Sequence, residues 1–313
     1  IGEELGIFET KLSEAVKSNA PMLDRIMKFI IKRKGKQLRP MFVFLSARLH
    51  GQVNESTYRA AALVELLHTA TLVHDDVVDE SLERRGFFSI NAIWKNKIAV
   101  LVGDYLLSKG LLLSTSNNDF EHLHILSEAV KQMSEGELLQ IEKARNLNLD
   151  ENVYFEIIKN KTASLLSSAC GVGAWSTSKD ETICNKMKLF GQNVGIAFQI
   201  KDDLFDYGTD DVGKPTGNDI KEKKLTLPLI YTLNKVPASK KRELVYLIKN
   251  ENKNREKVKY IIDNVTAEGG IAYAIEKMNY YRDGALKILH SFPESDARKA
   301  LEELVRYTTD RKY

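Results

Sequence analysis

The chain has 313 residues, 43% of them hydrophobic and 28% charged, with 46 Lys and Arg against 43 Asp and Glu for a formal net charge of +3. That length is ample for a sizeable core, and the charge is too mild and too mixed in sign to suggest a nucleic-acid partner. Cys170 and Cys184 lack metal-ligand spacing and suit a reducing compartment, so the expected location is cytoplasmic. No apolar run reaches the roughly 18 uninterrupted residues of a membrane span, so no transmembrane segment is expected, and Ile1 opens no basic-then-apolar leader.

In chain order, the first informative stretch is Gly35-Lys36-Gln37-Leu38-Arg39-Pro40. Pro40 fits the first position of a helix running through Met41 to Leu49, with Lys36 and Arg39 at its entrance, where backbone N–H groups favour an anion. Lys32 to Lys34 read as a solvated basic loop. From Glu55 to Leu82 apolar residues recur every three or four positions, the mark of a helix. Glu65, His68, Leu72, Asp75 or Asp76, and Asp79 fall along one side of it. Arg84 and Arg85 follow within two turns, before Gly86 ends the segment.

The same period runs through Ala99 to Leu113, Leu123 to Ala144 and Met187 to Asp206. Lys161-Thr162 follows Tyr154 to Ile158 on another helix. Gln199 precedes Asp202 and Asp203 by three and four residues and shares their face. Gly208, Gly213, Pro215 and Gly217 mark a loop carrying Lys214, followed by Asp219 and Lys224; such a loop could close over phosphate. Gly and Pro otherwise gather near 34–40, 84–90, 170–180 and 234–238, none of which resembles an interdomain linker. The expectation is an all-α chain forming one domain over residues 1–313.

Chemistry concentrates in two acidic signatures, Asp75-Asp76-Val77-Val78-Asp79 and Asp202-Asp203-Leu204-Phe205-Asp206. One such run is usually a solvated helix face. Here each emerges from an apolar segment, Ala60 to Val73 and Val194 to Phe198, where carboxylates must be paired, hydrogen-bonded or metal-bound. Like charges at i and i+4 weaken a helix, and a hard cation such as Mg²⁺, shared with a substrate phosphate, relieves them. His68 among leucines is by itself more often a core residue than a ligand. Arg84 and Arg85 beyond the carboxylates suit phosphate oxygens.

Taken together, Gly35-Lys36-x-x-Arg39-Pro40, Glu65 to Asp79, Arg84-Arg85-Gly86, Gly103-Asp104, Gly136-Glu137-x-x-Gln140, Lys161-Thr162, Phe198-Gln199-x-x-Asp202-Asp203-x-x-Asp206 and Lys224-x-Thr226-Leu227-Pro228 resemble the trans-isoprenyl diphosphate synthases, in that family's order. The resemblance implies antiparallel helices around a deep central cavity, a homodimer, and the two aspartate motifs facing each other across the mouth. It implies head-to-tail prenyl transfer, with an allylic diphosphate chelated through Mg²⁺ by Asp75, Asp79 and Asp202, and with Asp76, Asp203 and Asp206 in support. Arg84, Lys161, Thr162, Gln199, Lys214 and Lys224 would hold its phosphates. Lys36, Arg39, His68 and Arg85 would hold isopentenyl diphosphate.

Ala70 and Thr71, about one turn before Asp75, are small where short-chain relatives often carry an aromatic floor. A tunnel continuing past Leu67 and Leu66 is therefore expected, with a long-chain product similar to that of octaprenyl synthases, destined for quinone side chains and released at a membrane surface. Geranylgeranyl diphosphate synthesis and a subunit of a heteromeric synthase are the alternatives. A terpene cyclase is disfavoured by the full second Asp-Asp-x-x-Asp. Two departures from the family pattern stand out: Phe87-Phe88 after the arginines, and Lys223 where a glycine is usual before Lys224.

Overall fold

The protein is described here as a computed structural model covering residues 1–32, 35–84, 87–146, 150–208 and 217–310. The described residues are almost wholly helical, as the periodicity predicts. The first elements are α1 (Gly2–Ala15), α2 (Pro21–Lys32), α3 (Leu38–Arg48), α4 (Glu55–Val78), the two-residue strands β1 (Glu83–Arg84) and β2 (Phe87–Phe88), α5 (Ile90–Trp94), α6 (Asn96–Thr115) and α7 (Phe120–Asn146). Then come α8 (Glu151–Ile158), a π-helical turn (Lys159–Ala163), α9 (Ser164–Ser178), α10 (Glu181–Phe205), α11 (Asn218–Lys221), α12 (Leu227–Lys235), α13 (Ala238–Asn250), α14 (Arg255–Ala267), α15 (Gly270–Leu289) and α16 (Asp296–Asp310). They group into two compact units, one of Ile1–Val130 and Ser168–Lys188, the other of Lys131–Ser167 and Leu189–Tyr313.

The first unit is built on α4. Asn54 caps it in a reciprocal box with Thr57, satisfying N–H groups that a helix start leaves orphaned. Its buried residues include Ala60 to Val64, Leu66 to His68, Ala70 and Val73, so this helix is apolar on nearly every side and can only be a core helix. Helix α6 lies against it through Gly103 and Gly110, seven residues apart and hence on one face. A Cβ at Gly103 would fall 2.1 Å from His74 Nε2, and one at Gly110 would fall 2.9 Å from Leu63 Cδ1, so a side chain at either position would have to displace its neighbour on α4.

Four sequence expectations shift. Helix α3 begins at Leu38, so Pro40 is its third residue; the first turn has no intrahelical acceptors for its N–H groups, and proline is tolerated there. Helix α4 stops at Val78 instead of reaching Leu82, because Glu80 takes φ +50° and turns the chain back. Arg84 then sits on a ribbon pairing Glu83 with Phe88 and Arg84 with Phe87, not on a helix. The glycines near 170–180 lie within α9; a Cβ at Gly173 would meet the Val43 carbonyl oxygen at 2.3 Å, so this glycine brings two backbones together and breaks nothing.

No span was expected, yet α6 is long and apolar enough to cross a membrane by length and composition, with a mean hydropathy of 1.4. Its glycine face is packed on α4, while Val100, Leu101, Leu111 and Leu112 are exposed.

In the second unit Tyr154, Ile158 and Ala163 pack with Ile196, Ile200, Tyr207, Leu227, Ile230, Leu244 and Ile261 in one apolar cluster. Close approach again depends on glycine. A Cβ at Gly195 of α10 would lie 2.6 Å from Ala163 Cα, and one at Gly136 of α7 would lie 2.9 Å from the Lys161 nitrogen. Both meet the π-helical turn, a wide turn often found at functional sites.

One buried cluster makes a pH-dependent contribution to stability. His122 is 1% exposed, and neither ring nitrogen has a hydrogen-bond partner among the described residues. Asp119, 3.8 Å away, is already engaged by Arg59 and Ser56. Burial pushes the imidazole down to about 4, the nearby Asp119 carboxylate opposing this and Lys179 and Arg59 adding to it. Because the unfolded chain binds the proton more tightly, stability is full above the ordinary value near 6.5 and falls as pH drops towards 4, by about 3 kcal/mol at the low end. Thermal melts from pH 7 to pH 4 are expected to show this loss in the wild type and a shallower one in His122→Gln.

Candidate active site

The first aspartate set lies at the C-terminal end of α4 and the second at the C-terminal end of α10. That end of a helix carries the negative pole of its dipole and unpaired carbonyls, where carboxylates are least welcome. Both sets are thus oxygen-rich and electrostatically uncompensated by their own helix. Among the described residues no three His, Cys, Asp or Glu side chains form a ready metal cage. Mg²⁺ is commonly held by one or two carboxylates with the rest of its shell from water and substrate phosphate, so an all-oxygen, partly filled donor set of this kind fits that ion.

On α4, Asp75 is partly buried, Asp76 is 4% exposed and Asp79 is exposed at the helix C-cap. Asn91 donates to the Asp76 carbonyl at 3.0 Å and so secures the chain's exit. His68 is buried one turn before Thr71, whose hydroxyl donates to the His68 carbonyl at 2.9 Å. Leu67, Thr71 and Asp75 share a face, four residues apart. Ala70 does not belong with them. It has no exposed surface and packs with Leu66, Val73, Ala99, Val102 and Leu106, whereas Thr71 is partly exposed. Lys36 stands exposed before α3 and Arg39 is in its first turn. Arg85 and Lys214 lie outside the described residues, as does the side chain of Arg84.

The second unit assembles its groups around a cavity of about 190 Å³. Asp203, 1% exposed, accepts hydrogen bonds from the Tyr154 hydroxyl at 2.7 Å and the Gln199 amide at 2.9 Å, with Lys224 Nζ 3.7 Å away. Burial lifts its carboxyl to about 6, the Lys224 ammonium pulling the other way. Burial works against charge on Lys224 too, but Asp203 and Asp219 outweigh it and hold the ammonium above its usual range. The pair is therefore ionised near neutral pH. Gln199 accepts from the Thr162 hydroxyl at 2.8 Å, and Lys161 pairs with Glu137 at 2.5 Å beside Gln140 at 3.5 Å. Apolar Ile157, Ile158 and Leu225 complete part of the wall.

The three aspartates of this set have different work. Asp206 accepts the N–H groups of Asn218 at 2.7 Å and Asp219 at 3.0 Å, and so anchors the start of α11. Asp203 is engaged by Tyr154, Gln199 and Lys224. Asp202 is partly exposed. The structure therefore brings Lys161, Thr162, Gln199, Asp203 and Lys224 together, and reveals partners to which the sequence reading gave no role, Tyr154 and Lys143. Tyr154 had a usable signal: it lies seven residues before Lys161, about two helical turns, and so shares a face with it.

An all-α fold carrying two carboxylate sets at helix ends, one of them wired to lysines around a partly apolar cavity, defines an enzyme that handles a diphosphate bearing a hydrocarbon chain. The polyprenyl synthetase family profile matches residues 20–265, and the chain belongs to that family, as a trans-prenyltransferase. It is 33% identical to the heptaprenyl diphosphate synthase component 2 of Bacillus subtilis, over 100% of this chain and 89% of that one. It is 32% identical to the octaprenyl diphosphate synthase of Escherichia coli, over 99% and 96%. The crystal structure of a polyprenyl synthase from Caulobacter crescentus, complexed with calcium and isoprenyl diphosphate, superposes with a TM-score of 0.90 at 33% identity, over 100% of this chain and 96% of that one.

Removing the Tyr154 hydroxyl leaves a buried carboxylate short of one donor, which costs about 1–3 kcal/mol. Tyr154→Phe is expected to lower the urea midpoint accordingly, without changing the helical circular-dichroism signal.

Proposed function

We propose that the chain condenses isopentenyl diphosphate with an allylic prenyl diphosphate, head to tail, to make a long-chain polyprenyl diphosphate, and that residues 1–313 act as a single isoprenyl diphosphate synthase domain. The observation that carries this is the second aspartate set, whose Asp203 is held by Tyr154, Gln199 and Lys224 beside Lys161 and Thr162. The relatives' long-chain products support the length assignment. The destination in quinone side chains, with release at a membrane surface, is proposed from the sequence resemblance.

In this reading Asp75, Asp79 and Asp202 hold Mg²⁺, with Asp76, Asp203 and Asp206 behind them. The ion, when bound, supplies positive charge against the charge that develops on the leaving diphosphate. The residues do the rest. Lys161 and Lys224, each oriented by a carboxylate, present ammonium groups to phosphate oxygens already in position. Gln199 and Thr162 fix one another and complete the polar rim. Lys36, Arg39, His68 and Arg85 take isopentenyl diphosphate, and Arg84 and Lys214 the allylic phosphates. The apolar wall of Ile157, Ile158 and Leu225 keeps water from the reacting carbon. No protein nucleophile is required, since the double bond of isopentenyl diphosphate attacks and the departing diphosphate can accept the proton.

A homodimer in the cytoplasm is the proposed setting, supported by the exposed apolar side chains of α6. The first-named relative is one component of a synthase, which favours as a second reading a catalytic subunit working with an unlike partner.

Purified chain incubated with Mg²⁺, labelled isopentenyl diphosphate and farnesyl diphosphate is expected to yield polyprenyl products longer than twenty carbons; failure to extend any allylic primer defeats the proposal. Asp75→Ala and Asp202→Ala are each expected to lower turnover by about 10²–10³-fold with unchanged melting temperature. Thr71→Phe is expected to shorten the product on chromatographic sizing. Ala70→Tyr instead overfills a packed core and lowers stability by about 1–3 kcal/mol.

A further inference from the structure

Four lysines line the second unit's cavity: Lys143, Lys161, Lys223 and Lys224. Three of them already face a carboxylate. Lys143 pairs with Glu142 at 2.9 Å, Lys161 with Glu137 at 2.5 Å, and Lys224 with Asp219 at 3.3 Å and Asp203 at 3.7 Å. Lys223 has no side-chain hydrogen bond or ion pair among the described residues. Its charge is unspent.

Its backbone is left-handed, as it is at Lys95 and Lys179. Lys223 takes φ +59°, a left-handed conformation that disfavours every residue with a Cβ and that glycine occupies freely. The turn is pinned on both sides, by the Lys223 N–H to the Ile220 carbonyl at 3.0 Å and by the Lys224 N–H to the Asp219 carbonyl at 2.8 Å. A lysine is therefore kept where the backbone alone calls for glycine. What the side chain adds there is a long, mobile cation at the cavity edge, next to Lys224. An ammonium without a carboxylate partner brings an unneutralised charge and all three of its N–H donors to phosphate, whereas Lys161 and Lys224 share theirs with carboxylates.

We propose that Lys223 is a diphosphate-binding residue of this enzyme, an added cation whose ammonium holds a phosphate oxygen of the bound prenyl diphosphate. This rests on the prenyl-transfer reading of the same cavity. Because Lys223 is exposed, its contribution is to affinity and retention of the diphosphate rather than to the bond-breaking step.

The test compares Lys223→Gly, Lys223→Ala and Lys223→Arg with the wild type by calorimetric titration of inorganic pyrophosphate, with and without Mg²⁺, and by steady-state kinetics on farnesyl diphosphate. If charge is what matters, Gly and Ala both weaken pyrophosphate binding and raise KM by about five- to tenfold, with kcat within twofold, while Arg stays near wild type. The Gly variant should melt no lower than the Ala variant, since it relaxes the turn, so a folding defect cannot mimic the result. Unchanged pyrophosphate affinity in both the Gly and Ala variants overturns the proposal, as does wild-type affinity in Gly with weakened affinity in Arg. A wild type that binds pyrophosphate through Lys223 yet transfers no prenyl group defeats the assigned reaction and leaves the anion site standing.

Discussion

The constraint on which the rest depends is electrostatic. Two helices, α4 and α10, each end in closely spaced carboxylates at the pole where the backbone is already negative. In an isolated helix that arrangement is unfavourable, through both the dipole and the i, i+4 repulsion. The second unit answers it with a defined set of partners. Tyr154 and Gln199 occupy the two oxygens of Asp203, Lys224 balances its charge, and the backbone of α11 takes up Asp206. Tyr154 comes from α8 and Lys224 from the segment after α11, so the site ties α10 to its neighbours.

Such convergence needs helices that approach more closely than ordinary side chains permit. Gly103 and Gly110 let α6 settle on α4, and Gly136 and Gly195 admit α7 and α10 to the π-helical turn carrying Lys161 and Thr162. The wide turn is sterically matched to these two glycines. It carries Lys161 beside Glu137 and Thr162 beside Gln199. A substitution at Gly136 or Gly195 would therefore act on the polar rim through backbone position, far more than through lost contacts.

Much of this was legible in the sequence, because long helices with a 3.6-residue period and motif residues three or four apart translate directly into shared faces. The grouping of Gln199 with Asp203, and the helical identity of Glu55 to Val78, follow from spacing alone. What spacing could not give is which face is buried. Ala70 and Thr71 are adjacent, yet one is sealed in the core and the other reaches open space, a distinction set by the packing of α6 and α5 and not by α4 itself. Helix ends were misjudged for a related reason. Glu80 adopts left-handed backbone that its residue type does not advertise, and Gly171 and Gly173, which read as breakers, are contact points inside α9.

Asp206 fastens the end of α10 to the start of α11, its carbonyl taking the N–H of Gly217 at 3.0 Å and its carboxylate those of the next two residues. The backbone at Gly217 is thereby held to the end of α10. Asp203 precedes this clasp and Lys224 follows it, so the same fastening sets the register in which the two meet at 3.7 Å.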